Sequence, residues 1–137
     1  MRKIDTIIGG KFGLPTEFPR NCSSPVFLEG DPILMFNGRS CIKLVIDLLR
    51  PETVWLPSYL CPTIITAINP NISKISFYSI NTTLKMSSLD FLDAINPGDL
   101  FLFIDYFGFP FSSDFITELH AKSVFTFHDC SQALFHD

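Results

Sequence analysis

Leu100-Phe101-Leu102-Phe103-Ile104-Asp105 is an almost unbroken apolar run closed by an acid. A strand with one wet face alternates apolar and polar side chains, whereas a strand covered on both faces has no such need. The run therefore predicts an inner strand of a sheet with helices above and below it. Asn96-Pro97-Gly98-Asp99, just before it, reads as a turn. Downstream, Ser112 or Ser113 caps a helix running to about Ala121, and residues 124–128 (VFTFH) form a last strand.

The same rhythm extends upstream. Residues 40–49 (SCIKLVIDLL) are apolar at helical spacing, with a stop at Arg50-Pro51. Residues 53–56 (TVWL) form a short strand ending at Pro57, and residues 62–68 (PTIITAI) a helix with proline in its first turn. Residues 74–78 (KISFY) read as a strand. Residues 87–95 (SSLDFLDAI) read as a helix, because Ser87 is followed three residues later by Asp90 in a near capping box. The first 34 residues, punctuated by Gly9-Gly10, Gly13, Pro15, Pro19, Pro25, Gly30 and Pro32, are expected to be irregular. Strands alternating with helices indicate βαβ units. The expected fold is α/β, a three-layer α/β/α arrangement with a mainly parallel sheet, in one domain over residues 1–137.

Composition narrows the function classes. Apolar residues are 47% of the chain and charged residues 18%, and fifteen Phe supply a large apolar payload. A net charge of −4 with no basic stripe argues against nucleic acid. No apolar run approaches the roughly 18–20 residues of a membrane-spanning helix. Residues 1–10 carry a basic pair but no long apolar core or small-residue cleavage site, which predicts a cytoplasmic protein. Cys22, Cys41, Cys61 and Cys130 form no C-x-x-C pair and no zinc spacing, so they are expected to be free thiols with no metal site. His128 and Cys130, two apart on a strand, share a face. As a nucleophile pair they lack anything in the sequence that orients the histidine.

In largely parallel sheets ligands gather at the carboxyl ends of the strands. Pro57-Ser58-Tyr59, Asp105-Tyr106-Phe107-Gly108 and Asp129-Cys130-Ser131-Gln132 all fall there. An ordinary explanation exists for any one of them, because strand ends are turns and turns are polar. At the other end of the chain, Gly38-Arg39-Ser40 opens a helix. A helix N-terminus offers unpaired N–H groups and partial positive charge, so it can hold a phosphate.

Taken in order, these segments resemble the first part of a fold-type I pyridoxal-phosphate enzyme, and most nearly the DegT–DnrJ–StrS family of sugar aminotransferases. The resembling segments are Ile8-Gly9-Gly10-Lys11-Phe12, Asn37-Gly38-Arg39-Ser40-Cys41, Leu56-Pro57-Ser58-Tyr59-Leu60-Cys61-Pro62, Asp105-Tyr106-Phe107-Gly108 and Asp129-Cys130-Ser131-Gln132-Ala133. The resemblance implies pyridoxal 5'-phosphate as cofactor. Gly38, Arg39 and Ser40 would hold its phosphate. Asp129 would pair with the protonated ring nitrogen, Gln132 would reach the ring hydroxyl, and Tyr59 would stack on the ring or line the pocket. Asp105 and Tyr106 would shape the pocket floor. The family often has an aromatic residue nearer position 61, where this chain has Cys61. The implied activity moves an amino group from a donor such as glutamate to a nucleotide-linked keto sugar, in polysaccharide, lipopolysaccharide or antibiotic-sugar synthesis. Family members are usually homodimers.

The family also needs a Schiff-base lysine downstream of the Asp-x-x-Gln segment. This sequence has no lysine after Lys122, and Lys3, Lys11, Lys43, Lys74, Lys85 and Lys122 match no such position. No catalytic residue is therefore assigned. The expectation is a truncated N-terminal portion, inactive alone and prone to aggregate through exposed strand edges. Two alternatives stand beside it. One is a non-catalytic remnant or interaction module with the same fold. The other is a Rossmann-like nucleotide-binding domain, although Gly9, Gly10 and Gly13 do not fit G-x-G-x-x-G.

Overall fold

The computed structural model describes residues 33–133. The described residues all belong to one compact unit. The segment Ile8–Phe12, Cys22 and His136 lie outside them.

The elements in order are α1 (Gly38–Leu49), β1 (Thr53–Pro57), α2 (Pro62–Ile65), β2 (Lys74–Tyr78), β3 (Leu100–Ile104), α3 (Ser113–Ala121) and β4 (Phe125–Asp129). The four strands form one sheet in the order β2-β1-β3-β4. Every pairing is parallel, with Val54 opposite Leu100 and Ile104 opposite Asp129. This is the α/β fold expected from the sequence, with helices on both faces of a parallel sheet.

All five residues of β3 are buried, as a strand covered on both faces requires. Leu100, Leu102 and Ile104 point to one side, where they meet Val54, Leu56, Ile42 and Ile46 of α1, and Ile64 of α2. Phe101 and Phe103 point to the other, against Trp55, Tyr78, and Phe115 and Leu119 of α3. Burying each of these large side chains contributes on the order of 2 kcal/mol. The second side is aromatic: the rings of Tyr78 and Phe101 stack at 4.5 Å, and Phe115 meets Phe101 edge-on at 5.5 Å.

Buried polar groups tie the layers together. The Tyr78 hydroxyl donates to the Leu102 carbonyl at 3.0 Å. Asp99 accepts from Thr53 N–H (3.2 Å), the Trp55 indole (3.1 Å) and Asn96 N–H (2.9 Å), which locks the entry of β3 to β1. Gly98, at φ 86°, supplies the left-handed residue of the preceding turn.

Two expected helices differ from the sequence reading. Residues 87–95 form no α-helix, only a 3₁₀ turn over Asp90–Asp93. Ser88 Oγ accepts from Asp90 N–H in a local turn, and Ser87 N–H donates to Ser79 O beside an antiparallel bridge between Ile80 and Met86. These serines satisfy non-helical backbone instead of capping a helix. Helix α2 stops at Ile65, three residues short. Thr63, Ile64, Ile65 and Thr66 are β-branched and stiff in a helix, and the chain beyond tightens into three-residue turns at Ala67 and Ile68.

The order of strands decides where a ligand can enter. From β1 the chain crosses outward to β2, then returns past β1 to β3 and continues to β4. The switch point therefore lies between the carboxyl ends of β1 and β3, where a crevice opens in sheets of this type.

Candidate functional site

Four chain segments meet at that crevice. The first is the start of α1. Asn37 is extended, and its Oδ1 accepts from Ser40 N–H (3.0 Å) and from Ser40 Oγ (3.2 Å). This cap leaves the N–H groups of Gly38 and Arg39 without an acceptor among the described residues. No acid occupies the first turn, and a Cβ at Gly38 would meet nothing within 4 Å. The helix therefore presents an open, positively polarised end.

The second segment follows β1. Ser58 N–H donates to Tyr78 O and Ser58 Oγ accepts from Ile80 N–H, so the chain turns and carries Tyr59, Leu60 and Cys61 over the strand ends. The third follows β3, where Tyr106–Gly108 form a 3₁₀ turn with Phe107 in the left-handed region (φ 53°). The Tyr106 hydroxyl donates to the Tyr59 carbonyl, and the two rings lie 5.6 Å apart. The fourth follows β4. Asp129 Oδ1 accepts from Ser131 N–H (2.9 Å), and Gln132 Oε1 accepts from Phe107 N–H (3.0 Å).

Of the six residues singled out from the sequence, Gly38, Arg39, Tyr59, Asp129 and Gln132 line one cavity of about 520 Å3, with Tyr106, Ile104 and Cys61. Ser40 is not in its lining, because its hydroxyl serves the Asn37 cap. Asp105 is not in it either. It follows Ile104 on β3, so its side chain points to the opposite side of the sheet, while Tyr106 reaches the cavity floor. A second cavity, of about 710 Å3, adjoins at Ile104 and Tyr106 and is lined by Leu84, Lys85, Met86 and Phe109.

The first cavity has charged groups of both signs on its lining. Arg39 and the amino end of α1 contribute positive charge. Asp129 contributes negative charge, with one carboxylate oxygen free of partners among the described residues. The hydroxyl of Thr63, 3.1 Å from Cys61 Sγ, holds that thiol below its ordinary pKa. Burial pushes the Tyr106 phenol up to about 12, with Tyr59 and Asp129 adding to the effect, so it stays a neutral donor. Among the described residues no lysine lines this cavity. Lys43 pairs with Asp47 (2.6 Å), Lys74 with Glu52 (3.2 Å), Lys122 donates to Leu92 O (3.1 Å), and Lys85 faces the second cavity.

Across the sheet lies a group that the sequence showed only in part. Asp105 is buried, its Oδ2 lies 2.7 Å from His128 Nε2, and its Oδ1 accepts from Phe111 N–H at 3.0 Å. Cys130 stands beside them. Burial pushes its thiol up, and Asp105 and Asp129 push it further. The His128-x-Cys130 spacing is legible in sequence. Asp105 belongs with it only because β3 pairs β4 in a register that puts Ile104 opposite Asp129.

A cavity lined by an anion-attracting helix end, a carboxylate and a tyrosine offers partners to a ligand that carries both negative and positive groups. The volume lies in the range of ordinary small-ligand sites. No family model matches the chain, and no curated protein matches it.

Proposed function

We propose that this cavity binds pyridoxal 5'-phosphate and that the chain carries the cofactor-binding part of an aminotransferase acting on nucleotide-linked keto sugars. The observation that carries the reading is the meeting of Asp129 and the open end of α1 on the lining of one cavity. The residues fit the cofactor on three counts. The free N–H groups of Gly38 and Arg39, with the guanidinium, suit the phosphate. The Asp129 carboxylate suits a protonated ring nitrogen, and its bond to Ser131 N–H fixes its direction. Tyr59, held by the Tyr106 hydroxyl, suits the ring itself. When bound, the cofactor supplies an electron-withdrawing ring that stabilises negative charge next to its aldehyde carbon.

In this reading Asp129 keeps the ring nitrogen protonated, and Gln132 offers its amide N–H groups to the ring hydroxyl while its oxygen holds Phe107. Tyr106 walls the cofactor cavity from the adjoining one, which offers room for a substrate. The substrate class, the amino donor, a homodimeric assembly and a role in polysaccharide, lipopolysaccharide or antibiotic-sugar synthesis rest on the resemblance of residues 37–41, 56–62, 105–108 and 129–133. The reading includes a reducing, cytoplasmic setting, in which Cys41, Cys61 and Cys130 stay free thiols. No helix among the described residues is long and apolar enough to cross a membrane. With no lysine on the described lining, a second reading is cofactor binding without turnover.

Titrating the chain with pyridoxal 5'-phosphate, followed by absorbance and by borohydride treatment, tests the reading. Reversible binding that borohydride does not fix is expected. Asp129→Ala should weaken it about 10-fold or more, as loss of a hydrogen bond to a charged group implies. Equal binding by the wild type and Asp129→Ala, or tighter binding of a nicotinamide dinucleotide, would overturn it. Amino transfer from glutamate by the bound chain would exclude the second reading.

A further inference from the structure

We propose that Asp105, His128 and Cys130 form a three-ligand site for a divalent transition metal of the zinc type, on the face of the sheet opposite the cofactor cavity. The proposal is independent of what that cavity binds.

One donor atom from each residue lies within 4.8 Å of the other two. The donors are a carboxylate oxygen, an imidazole nitrogen and a sulfur. This is the mixed set that suits zinc or cobalt and that magnesium and calcium, which prefer oxygen, do not share. Zinc–donor bonds of about 2.0–2.3 Å set tetrahedral donors roughly 3–4 Å apart, a separation that donors all within 4.8 Å of one another can reach. The Asp105–His128 contact at 2.7 Å has only to open slightly to admit the ion.

The cluster is built from the backbone outward. His128 and Cys130 alternate with Asp129, so they share the face that Asp129 leaves. Asp105 N–H donates to Asp129 O (3.3 Å), continuing the β3–β4 ladder and setting Asp105 beside both. Each ligand is also held from outside. The imidazole of His128 stacks on Phe103 with centroids 4.4 Å apart. Asp105 Oδ1 is fixed by Phe111 N–H, which leaves Oδ2 for the cluster. Support of this kind around the ligands is what orients them in metal sites. His128 is exposed and Cys130 half-buried, so a fourth position faces solvent and can take water or a small ligand.

A catalytic relay is the competing arrangement. It needs the imidazole to bridge carboxylate and thiol, with a hydrogen bond to each. Here His128 bonds Asp105 but makes no hydrogen bond with Cys130, and the three donors converge instead. On metal binding the thiol proton leaves to solvent, Sγ takes the ion, and the imidazole binds through the nitrogen turned to the ion with its proton on the other.

Cobalt(II) titration of the full chain tests the site. One equivalent is expected to bind, with a thiolate-to-cobalt charge-transfer band in the near ultraviolet and visible bands of four-coordinate intensity. Zinc should displace it. Cys130→Ser should abolish the charge-transfer band and weaken binding. Asp105→Asn, checked for fold by circular dichroism, should weaken it about 10-fold or more, since loss of a ligand costs at least what loss of a ligand's outer support does. The combined Cys22→Ser, Cys41→Ser, Cys61→Ser variant should keep the band. No band in the wild type, a band that survives Cys130→Ser, or one lost in the combined variant would overturn the proposal.

Discussion

Asp105 and Asp129 end neighbouring strands yet serve opposite faces of the sheet, one beside His128 and the other on the cavity. The difference is one residue of register, which strand alternation turns into a change of side. This explains why the candidate site was only partly legible in the sequence. Gly38, Arg39, Tyr59, Asp129 and Gln132 each announce themselves by residue type at an element end, and they meet in one lining. Ser40 could not be assigned that way, because a serine at a helix start serves a ligand or its own cap equally well, and here Asn37 takes it. Asp105 needed the register of β3 on β4, which no local pattern encodes. Cys61 gives a test at the same scale. Its pKa lies below the ordinary value because the Thr63 hydroxyl hydrogen-bonds its sulfur. A lowered pKa means that thiolate, the reactive form, appears at lower pH. Alkylation of Cys61, followed by peptide mass spectrometry across a pH series, should rise below the pH expected of a free thiol. Thr63→Val should move the rise to higher pH. A profile unchanged by that substitution would remove the hydroxyl as the cause.

At the scale of elements, strands were more legible than helices. Residues 100–105 predicted an inner strand because nothing but burial on two faces explains five apolar residues in a row, and β3 is buried throughout. Residues 74–78 coincide with β2, and the last strand is shifted by a single residue. The near capping box of Ser87 and Asp90 misled at residues 87–95, where Ser88 Oγ accepts from Asp90 N–H in a local turn instead. Helix α3 was legible at both ends. Ser112 Oγ accepts from Phe115 N–H at 3.4 Å, and the chain leaves the helix through Ser123 at φ 60°. That exit favours glycine, since a left-handed conformation costs an L-residue roughly 1–2 kcal/mol. Part of the gain is offset by the freer unfolded chain that glycine brings. Ser123→Gly is therefore expected to stabilise the chain by about 0.5–1 kcal/mol, read from the midpoint of urea unfolding. A destabilised variant would mean that the Ser123 side chain carries a contact worth more than the strain.

For the molecule as a whole, the sheet is well covered at its centre and bare at its sides. Among the described residues β2 pairs only with β1 and β4 only with β3, so two strands offer unpaired backbone groups along their outer edges. Both edges also show apolar surface, with Phe77 on β2 51% exposed and Phe125 on β4 43% exposed. A flat edge with apolar side chains is a template for pairing with another chain, and natural edges are guarded by charge, particularly by lysine. On β2, Lys74 stands at the start of the strand and is paired with Glu52, whereas β4 carries no lysine along residues 125–129. The β4 edge is therefore the more exposed to association. The 137-residue chain should self-associate with rising concentration, seen by light scattering after size exclusion. Phe125→Lys should shift the equilibrium toward monomer by about 5-fold or more, as removal of one large apolar contact of about 1–2 kcal/mol implies. Phe77→Lys should do so less, because β2 already has a charge at its entry. A chain that stays monomeric at all concentrations would show that the two edges are covered, and equal effects of the two substitutions would show that association does not choose between them.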